Sequence, residues 1–554
     1  MLAYRIKEII FTIFPEFQKM SGGIFHSRLE LIDIFTFAFK IIIVWIIFWL
    51  IKRFLGHYWE KLTNKMMEIS LNLYGNKAKH EYTYYPYSLE NTLSNYMKTS
   101  EFDSYTFLGL NADSKNKYAT IVSDDDRQKH MQIIGMTGSG KSSIFQSIIV
   151  QDAKKNIPIV IIDGKGDKTF SDQLRSLLTS VGREKDFILF SLANKEMSET
   201  FNPLQAGECD PDIIVDAFMS NFDAGDPYYY NVAEAFFRNA YKILHGIKFP
   251  FTVMDVYAYL NCEESFRQVN EIALKHHPEV HQYLKILDVE IRKMETRNVS
   301  WRRELAGFSN YLQSFNDPLF KDADAGIVLT DCIRDKKIVY FQLPTNSYPI
   351  KAKQIGRMVQ AHLRYVSALI QSDVIDRKTR ASIMIDEYGA FAEESFVEIL
   401  NKARSSGMMV TIGHQSLSDL SAISESFMKR IDENTLIKII LKQTDPLLCE
   451  MISKSIGTCD EEERTFRKKQ GEFGNQIYTG ESSLKHVKEF ILHPDAIKRL
   501  HPYGQGYYIS RANNTHQCLN FSYFKPRVIN LLDGNCCEKK YRSVGMDLYR
   551  NNFE

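Results

Sequence analysis

Residues 135–142 read Gly135-Met136-Thr137-Gly138-Ser139-Gly140-Lys141-Ser142, directly after the apolar run Met131-Gln132-Ile133-Ile134. A strand feeding G-x-x-x-x-G-K-S is the pattern of a loop that wraps backbone N–H groups around nucleotide phosphates. Glycines at 135, 138 and 140 let the backbone curl into an anion nest, and a helix from about Lys141 turns its positive end toward the phosphates. In that arrangement Lys141 bridges the β and γ phosphates and Ser142 offers its hydroxyl to Mg2+, while Met136, Thr137, Ser139 and Ser143 complete the cradle. The ligand that such a loop suits is ATP with Mg2+.

A second group closes the apolar run Ala381-Ser-Ile-Met-Ile with Asp386-Glu387. Downstream of a phosphate loop, Asp386 suits Mg2+ held through water, and Glu387 suits polarisation of the attacking water. Gln415 ends the run 408–412 and reads either as a γ-phosphate sensor acting through its amide or as a polar loop residue. Asp163 and Lys165, in Asp163-Gly-Lys-Gly-Asp167, fit metal and phosphate contacts and fit turn chemistry equally well. Arg404 follows the helix after the carboxylates. It suits an arginine finger reaching a neighbour's nucleotide in a ring, and it suits a partner for its own helix dipole.

Other polar groupings carry less chemistry. Arg292, Lys293, Arg297, Arg302 and Arg303 surround Trp301, but Glu290, Glu295 and Glu304 are interleaved. A solvated helix face explains them at least as well as phosphate contacts. The segment Asp226-Pro-Tyr-Tyr-Tyr230 reads as a helix entry rather than a base-stacking platform. No His/Cys cluster has metal-site spacing.

The elements that position these residues follow from periodicity. Strand patterns at 105–110, 118–122, 157–162, 187–192, 337–344, 381–387, 408–412 and 436–441 alternate with helices at 141–154, 349–371 and from beyond Glu387 to about 406. Such alternation specifies a doubly wound parallel sheet whose ligands sit at the C-terminal strand ends, where the carboxylates and Gln415 fall. From about 210 to 322 helical periodicity replaces it, as in Val215, Phe218, Met219 and Phe222. A helical insertion is predicted there.

At 554 residues the chain needs two or three folded units, and 44% hydrophobic with 25% charged residues is a globular composition. A formal net charge of +1 gives no global pull toward nucleic acid, so any such contact must be local. Eight cysteines without a C-x-x-C pair read as reduced thiols of a cytosolic compartment, with the vicinal Cys536-Cys537 incidental. Residues 34–51 would make an apolar helix of roughly 27 Å, close to a bilayer's hydrocarbon thickness. Lys40 costs up to ~3 kcal/mol there against a summed gain of roughly 6 kcal/mol from the aliphatic and aromatic residues, so insertion wins. Lys52, Arg53, Lys61 and Lys65 follow the span while only Lys19 and Arg28 closely precede it, which puts the bulk of the chain in the cytoplasm. The run at 9–14 is too short to span alone.

Taken in order, Gly-Met-Thr-Gly-Ser-Gly-Lys-Ser at 135–142, Asp-Gly-Lys-Gly-Asp at 163–167, Phe-Asn-Pro-Leu at 201–204, Ile-Val-Tyr-Phe-Gln-Leu-Pro at 338–344, Ile-Asp-Glu-Tyr-Gly at 385–389 and Gly-His-Gln-Ser-Leu-Ser-Asp-Leu at 413–420 resemble the type IV secretion coupling proteins of the TraD/TraG kind. The resemblance covers roughly residues 105–525. It implies an α/β fold: a RecA-like P-loop NTPase core with an inserted all-α domain and an N-terminal transmembrane anchor. The boundaries expected are 1–61 for the anchor, 62–209 and 326–525 for the NTPase domain, 210–325 for the all-α domain and 526–554 for a short polar tail. It further implies a hexameric ATPase of the bacterial inner membrane that feeds a secretion channel. The usual cargo of such proteins is a relaxase-bound single DNA strand, and some members take protein effectors; the partners expected here are single- or double-stranded DNA, relaxase or relaxosome proteins and secretion-channel components. Relatives usually carry two membrane helices where one clear span stands here, and the tail has no long acidic extension. Two rivals remain at this level, a receptor platform that uses ATP only to assemble and a DNA pump of the FtsK/HerA type. The helical insertion argues against the pump.

Overall fold

The computed structural model describes residues 39–56, 58, 61, 62, 65, 89–112, 118–205, 207, 210–324, 326–470 and 476–524. The chain divides into two units, residues 1–79 with 460–488 and residues 80–459 with 489–554. In the first unit, residues 39–56 are helical, with Trp45 and Phe54 largely exposed. Among the described residues no helix is long and apolar enough to cross a membrane. The charges Lys40, Lys52 and Arg53 all fall inside that helical stretch. Positions 34–38 of the expected span, the run at 9–14, Cys536-Cys537 and the tail 526–554 lie outside the described residues.

In chain order the strands are β1 (Tyr105–Asn111), β2 (Ala119–Ser123), β3 (Met131–Ile134), β4 (Ile159–Asp163), β5 (Phe187–Ser191), β6 (Ile338–Gln342), β7 (Ala381–Asp386), β8 (Met408–His414), β9 (Ile437–Leu441), β10 (Thr458–Gln470), β11 (Gln476–Phe490), β12 (Gln505–Ser510) and β13 (Thr515–Phe521). Among the described residues β10 and β11 form a two-stranded sheet of their own. The rest form an 11-stranded sheet ordered β2-β1-β13-β12-β9-β3-β8-β7-β4-β6-β5. From β9 to β5 every pairing is parallel, whereas β12, β13, β1 and β2 join by antiparallel pairings.

The parallel strands β4 and β6 read as apolar runs up to their last residue because both of their faces are covered. In β4, Ile159 and Ile161 pack with Ile144, Phe145, Leu174 and Leu178 of the helices Lys141–Lys154 and Lys168–Ser180. Val160 and Ile162 belong to the opposite cluster, with Ile355 and Met358 of Pro349–Gln371 and Phe396 of Phe396–Ala403. The strand period of two thus sorts one apolar run onto two helix layers. Arg127, fully buried, grips Asp152 through both Nη atoms at 2.5 and 2.7 Å and fixes the helix Lys141–Lys154 against the segment entering β3. Burial alone would depress this guanidinium, but Asp152 and Asp124 outweigh it and hold its pKa above the ordinary value.

Between β5 and β6 the chain is helical, and no strand occurs among the described residues 210–324. Phe218 is its aromatic hub, with ring centroids 4.9 Å from Phe237, 5.2 Å from Tyr311 and 5.3 Å from Phe315. Removing that ring leaves a cavity the fixed helices cannot close. Phe218→Ala is therefore expected to cost about 3–5 kcal/mol, read as an earlier urea transition of the full chain, and an unchanged midpoint would contradict this packing. The basic group of this segment is largely paired: Arg292 with Asp288 at 2.9 Å, Lys293 with Glu290 at 2.6 Å and Arg302 with Glu263 at 2.7 Å. Trp301 is buried and stacked 5.2 Å from Phe236. Asp226 caps the helix Pro227–Gly246 by accepting from the Tyr228 N–H at 2.8 Å.

Candidate nucleotide site

β3 ends at Ile134, and the helix Lys141–Lys154 starts after six residues of loop. Gly140 caps that helix at φ 103°, a left-handed conformation in which a Cβ would be strained, and its neighbour Gly138 sits at φ 79°. The Ser139 hydroxyl donates to the Met136 carbonyl at 2.7 Å, and the Ser139 carbonyl accepts from the Gly504 N–H at 3.1 Å. Further N–H bonds run from Gly135 to the His414 carbonyl and from Met136 to the Lys442 carbonyl, each 3.3 Å. The loop is held from three sides while Met136, Thr137 and Gly138 stay exposed. Lys141 is buried and its ammonium donates to the Gly135 carbonyl. Burial lowers the Lys141 pKa, opposed by the charge of Glu387.

Parallel pairing of β4 with β7 sets Asp163 beside Asp386. Asp163 is buried, accepts from the Tyr340 hydroxyl at 2.7 Å and from the Lys165 N–H at 2.9 Å, and has its pKa raised to about 6 by burial and then by the charge of Asp386. Glu387 adopts φ 54°, ψ 45°, a strained conformation for a non-glycine residue and one that clusters at functional sites. Its N–H donates to Asp386 Oδ1 at 3.0 Å. On the neighbouring β8, a Cβ at Gly413 would fall 2.7 Å from the Phe145 ring and 3.0 Å from Asp386 Oδ1, so only glycine leaves this carboxylate its place.

Gln415 joins the loop to the carboxylates. Its carbonyl oxygen accepts from Thr137 Oγ1 at 3.0 Å and its amide nitrogen donates to Glu387 Oε1 at 3.1 Å. Lys165 Nζ lies 2.9 Å from Asp386 Oδ2, 3.3 Å from Glu387 Oε1 and 3.5 Å from Ser142 Oγ. Burial pulls this ammonium down, but Asp386 and Glu387 outweigh it and its pKa stands above the ordinary lysine value. Behind Gln415 runs a buried polar chain: Lys438 Nζ donates to Gln132 Oε1 at 2.7 Å, the Gln132 amide meets His414 Nε2 at 2.7 Å, and His414 Nδ1 meets the Ser416 carbonyl at 2.9 Å. A carbonyl at Nδ1 requires the proton there, so Nε2 accepts from Gln132. Burial drives the His414 pKa to about 4, which keeps the ring neutral, and burial takes Lys438 to about 8 against the pull of Asp432.

Residues 135–143, Asp163, Lys165, Asp386, Glu387 and Gln415 therefore meet at the C-terminal ends of the adjacent strands β3, β8, β7 and β4. Arg404 does not join them. It is exposed, next to the start of β8, at the end of that strand opposite His414. Sequence reading missed the chain through Lys438, Gln132 and His414 and the support from Gly504. Its only cue was a pair of polar residues, Gln132 and Lys438, inside otherwise apolar strands. Among the described residues no three His, Cys, Asp or Glu side chains converge as a metal cage. The donor set of one hydroxyl and a carboxylate beside a phosphate nest instead suits Mg2+, which keeps waters and phosphate oxygens as ligands.

Two family models match this chain. "TraM recognition site of TraD and TraG" covers residues 380–502, and "Helicase HerA, central domain" covers residues 108–168. The first contains Asp386, Glu387 and Gln415, the second the phosphate loop and Lys165. The type 4 coupling protein DotL of Legionella pneumophila is 24% identical over 395 residues, which is 62% of this chain and 50% of DotL. This chain is similar to the type IV coupling proteins. It spans about half the length of the curated coupling protein it matches. The bacterial conjugative coupling protein TrwB, in an unbound monoclinic form, superposes with a TM-score of 0.52 at 16% identity, covering 81% of this chain and 99% of that one. TrwB in complex with the ATP analogue ADPNP gives a TM-score of 0.51 at 16% identity over 74% and 90% of the two chains. TrwB with ADP and Mg2+ gives 0.50 at 16% identity over 73% and 88%. At that identity the solved coupling-protein structures share the fold.

Proposed function

We propose that this protein is a membrane-anchored coupling ATPase that recruits a DNA–relaxase substrate and drives it into a type IV secretion channel. One observation carries the reading: an exposed phosphate loop, a strained carboxylate and a glutamine that touches both lie at adjacent ends of one parallel sheet. Residues 135–143 bind the triphosphate, with Lys141 on the β and γ oxygens and Ser142 and Asp386 holding Mg2+. When bound, Mg2+ neutralises charge on the transferring phosphoryl group. Glu387 takes the proton of the attacking water, and Gln415 reports the state of the γ position to the loop through Thr137. Residues 34–51 anchor the chain in the inner membrane with its bulk cytoplasmic, and 210–325 form an all-α domain between the two parts of the motor, 62–209 and 326–525. In a homohexamer the exposed Arg404 serves a neighbour's nucleotide, since no site residue of its own protomer surrounds it.

A DNA motor of this kind has ATPase activity stimulated by single-stranded DNA, with binding that weakens steeply as salt rises. The expected result with the detergent-solubilised full chain is a several-fold rise in ATP turnover that fades between low and moderate salt. Turnover indifferent to single- and double-stranded DNA at every salt concentration would reject DNA as the cargo.

A further inference from the structure

Lys165 stands where a cation is wanted. Its ammonium contacts Asp386 Oδ2, Glu387 Oε1 and Ser142 Oγ at 2.9, 3.3 and 3.5 Å, the same three groups to which the nucleotide reading gives the metal and the water. The backbone around it does not depend on that contact. The Lys165 N–H is tied to Asp163 Oδ1 at 2.9 Å, and the Gly164 carbonyl accepts from both the N–H and the hydroxyl of Thr345, each at 3.0 Å. A fixed backbone with a partly exposed, four-carbon stem is the form of a charge that can leave without unfolding its loop.

We propose that Lys165 is the resting occupant of the divalent-cation position, so that the empty protein refuses free metal and takes up Mg2+ only together with nucleotide. The inference rests on the nucleotide-site reading and deepens it. An ammonium and a divalent cation cannot share two carboxylates at contact distance, because their repulsion in a half-buried site is large. Arrival of a triphosphate changes the balance: its oxygens supply new anionic ligands for the metal and a new partner for the displaced ammonium. Until then Lys165 neutralises Asp386 and Glu387, which would otherwise repel an incoming polyphosphate. Without a lysine here those carboxylates would collect a metal ion before any nucleotide came.

The test is a titration of the full-length protein with Mn2+, following the spectrum of the free ion by electron paramagnetic resonance. Wild type without nucleotide is expected to bind Mn2+ at least about tenfold more weakly than Lys165→Met, with Lys165→Arg behaving like wild type. In wild type, added ADP should create the tight Mn2+ site that is missing before. Equal Mn2+ affinity of nucleotide-free wild type and Lys165→Met would overturn the proposal. A wild-type Mn2+ site equally tight with and without ADP would overturn it too, and this arm needs no variant to fold. A fluorescent ATP analogue titrated into wild type with Mg2+ separates the two readings. Binding of the analogue without the Mn2+ pattern sinks only the role of Lys165, whereas absence of binding sinks the nucleotide site itself.

Discussion

Glu387→Gln is expected to lower ATP turnover by about 10²–10⁴-fold while ATP affinity stays within a few-fold of wild type. The amide keeps the shape of the side chain and still offers a carbonyl to the Gln415 amide, which now donates to Glu387 Oε1 at 3.1 Å. The left-handed backbone at this position is untouched, and Lys165 keeps its 2.9 Å contact with Asp386. What disappears is the lone pair that takes a proton from water. The loss therefore falls on kcat and not on binding, and single-turnover kinetics beside an equilibrium nucleotide titration measure the two separately. Turnover at the wild-type rate would remove Glu387 from the chemistry.

Lys141→Ala is expected to act on both quantities, weakening ATP binding by at least about tenfold and cutting turnover by about 10²–10³-fold or more. Its ammonium lies buried against the Gly135 carbonyl at the mouth of the loop, preorganised by the fold before any anion arrives. Burial already penalises its charge, so the free-energy gain on meeting phosphate is larger than at an exposed lysine. An unchanged urea midpoint together with lost nucleotide binding separates this outcome from misfolding. Wild-type affinity for the fluorescent analogue would refute the assigned grip.

The sequence disclosed those parts of the fold whose physics is local. β4 and β6 are apolar runs up to their last residue because helices cover both of their faces, and the glycines and Lys141 of the loop have the spacing that one turn of backbone dictates. β12 and β13 escaped notice because residues such as Gln505, Ser510, Thr515 and His516 break any apolar or alternating pattern, and because, although the two pair with each other as chain neighbours, their outer partners β9 and β1 are remote in the chain. Expected strand ends were long or short by one or two residues, as at β8, which continues through Gly413 and His414. Asp386 and Glu387 were visible as a pair at a strand end. The contact of Gln415 with Thr137 was not, since it links residues on separate strands that only the sheet order brings together. Lys165 hung between turn chemistry and phosphate chemistry on paper, and its distances to Asp386 and Glu387 are what connect it to the site. Arg404 read on paper either as an arginine finger or as a partner for its own helix dipole, and the fold leaves it exposed at the end of β8 away from the site.

The bond from the Gly504 N–H to the Ser139 carbonyl ties the phosphate loop to a residue far downstream in the chain. During synthesis the phosphate loop emerges early, yet one of its props arrives only when the segment between β11 and β12 has left the ribosome. A nascent chain stalled before that point would carry every letter of both nucleotide motifs and still lack a finished grip.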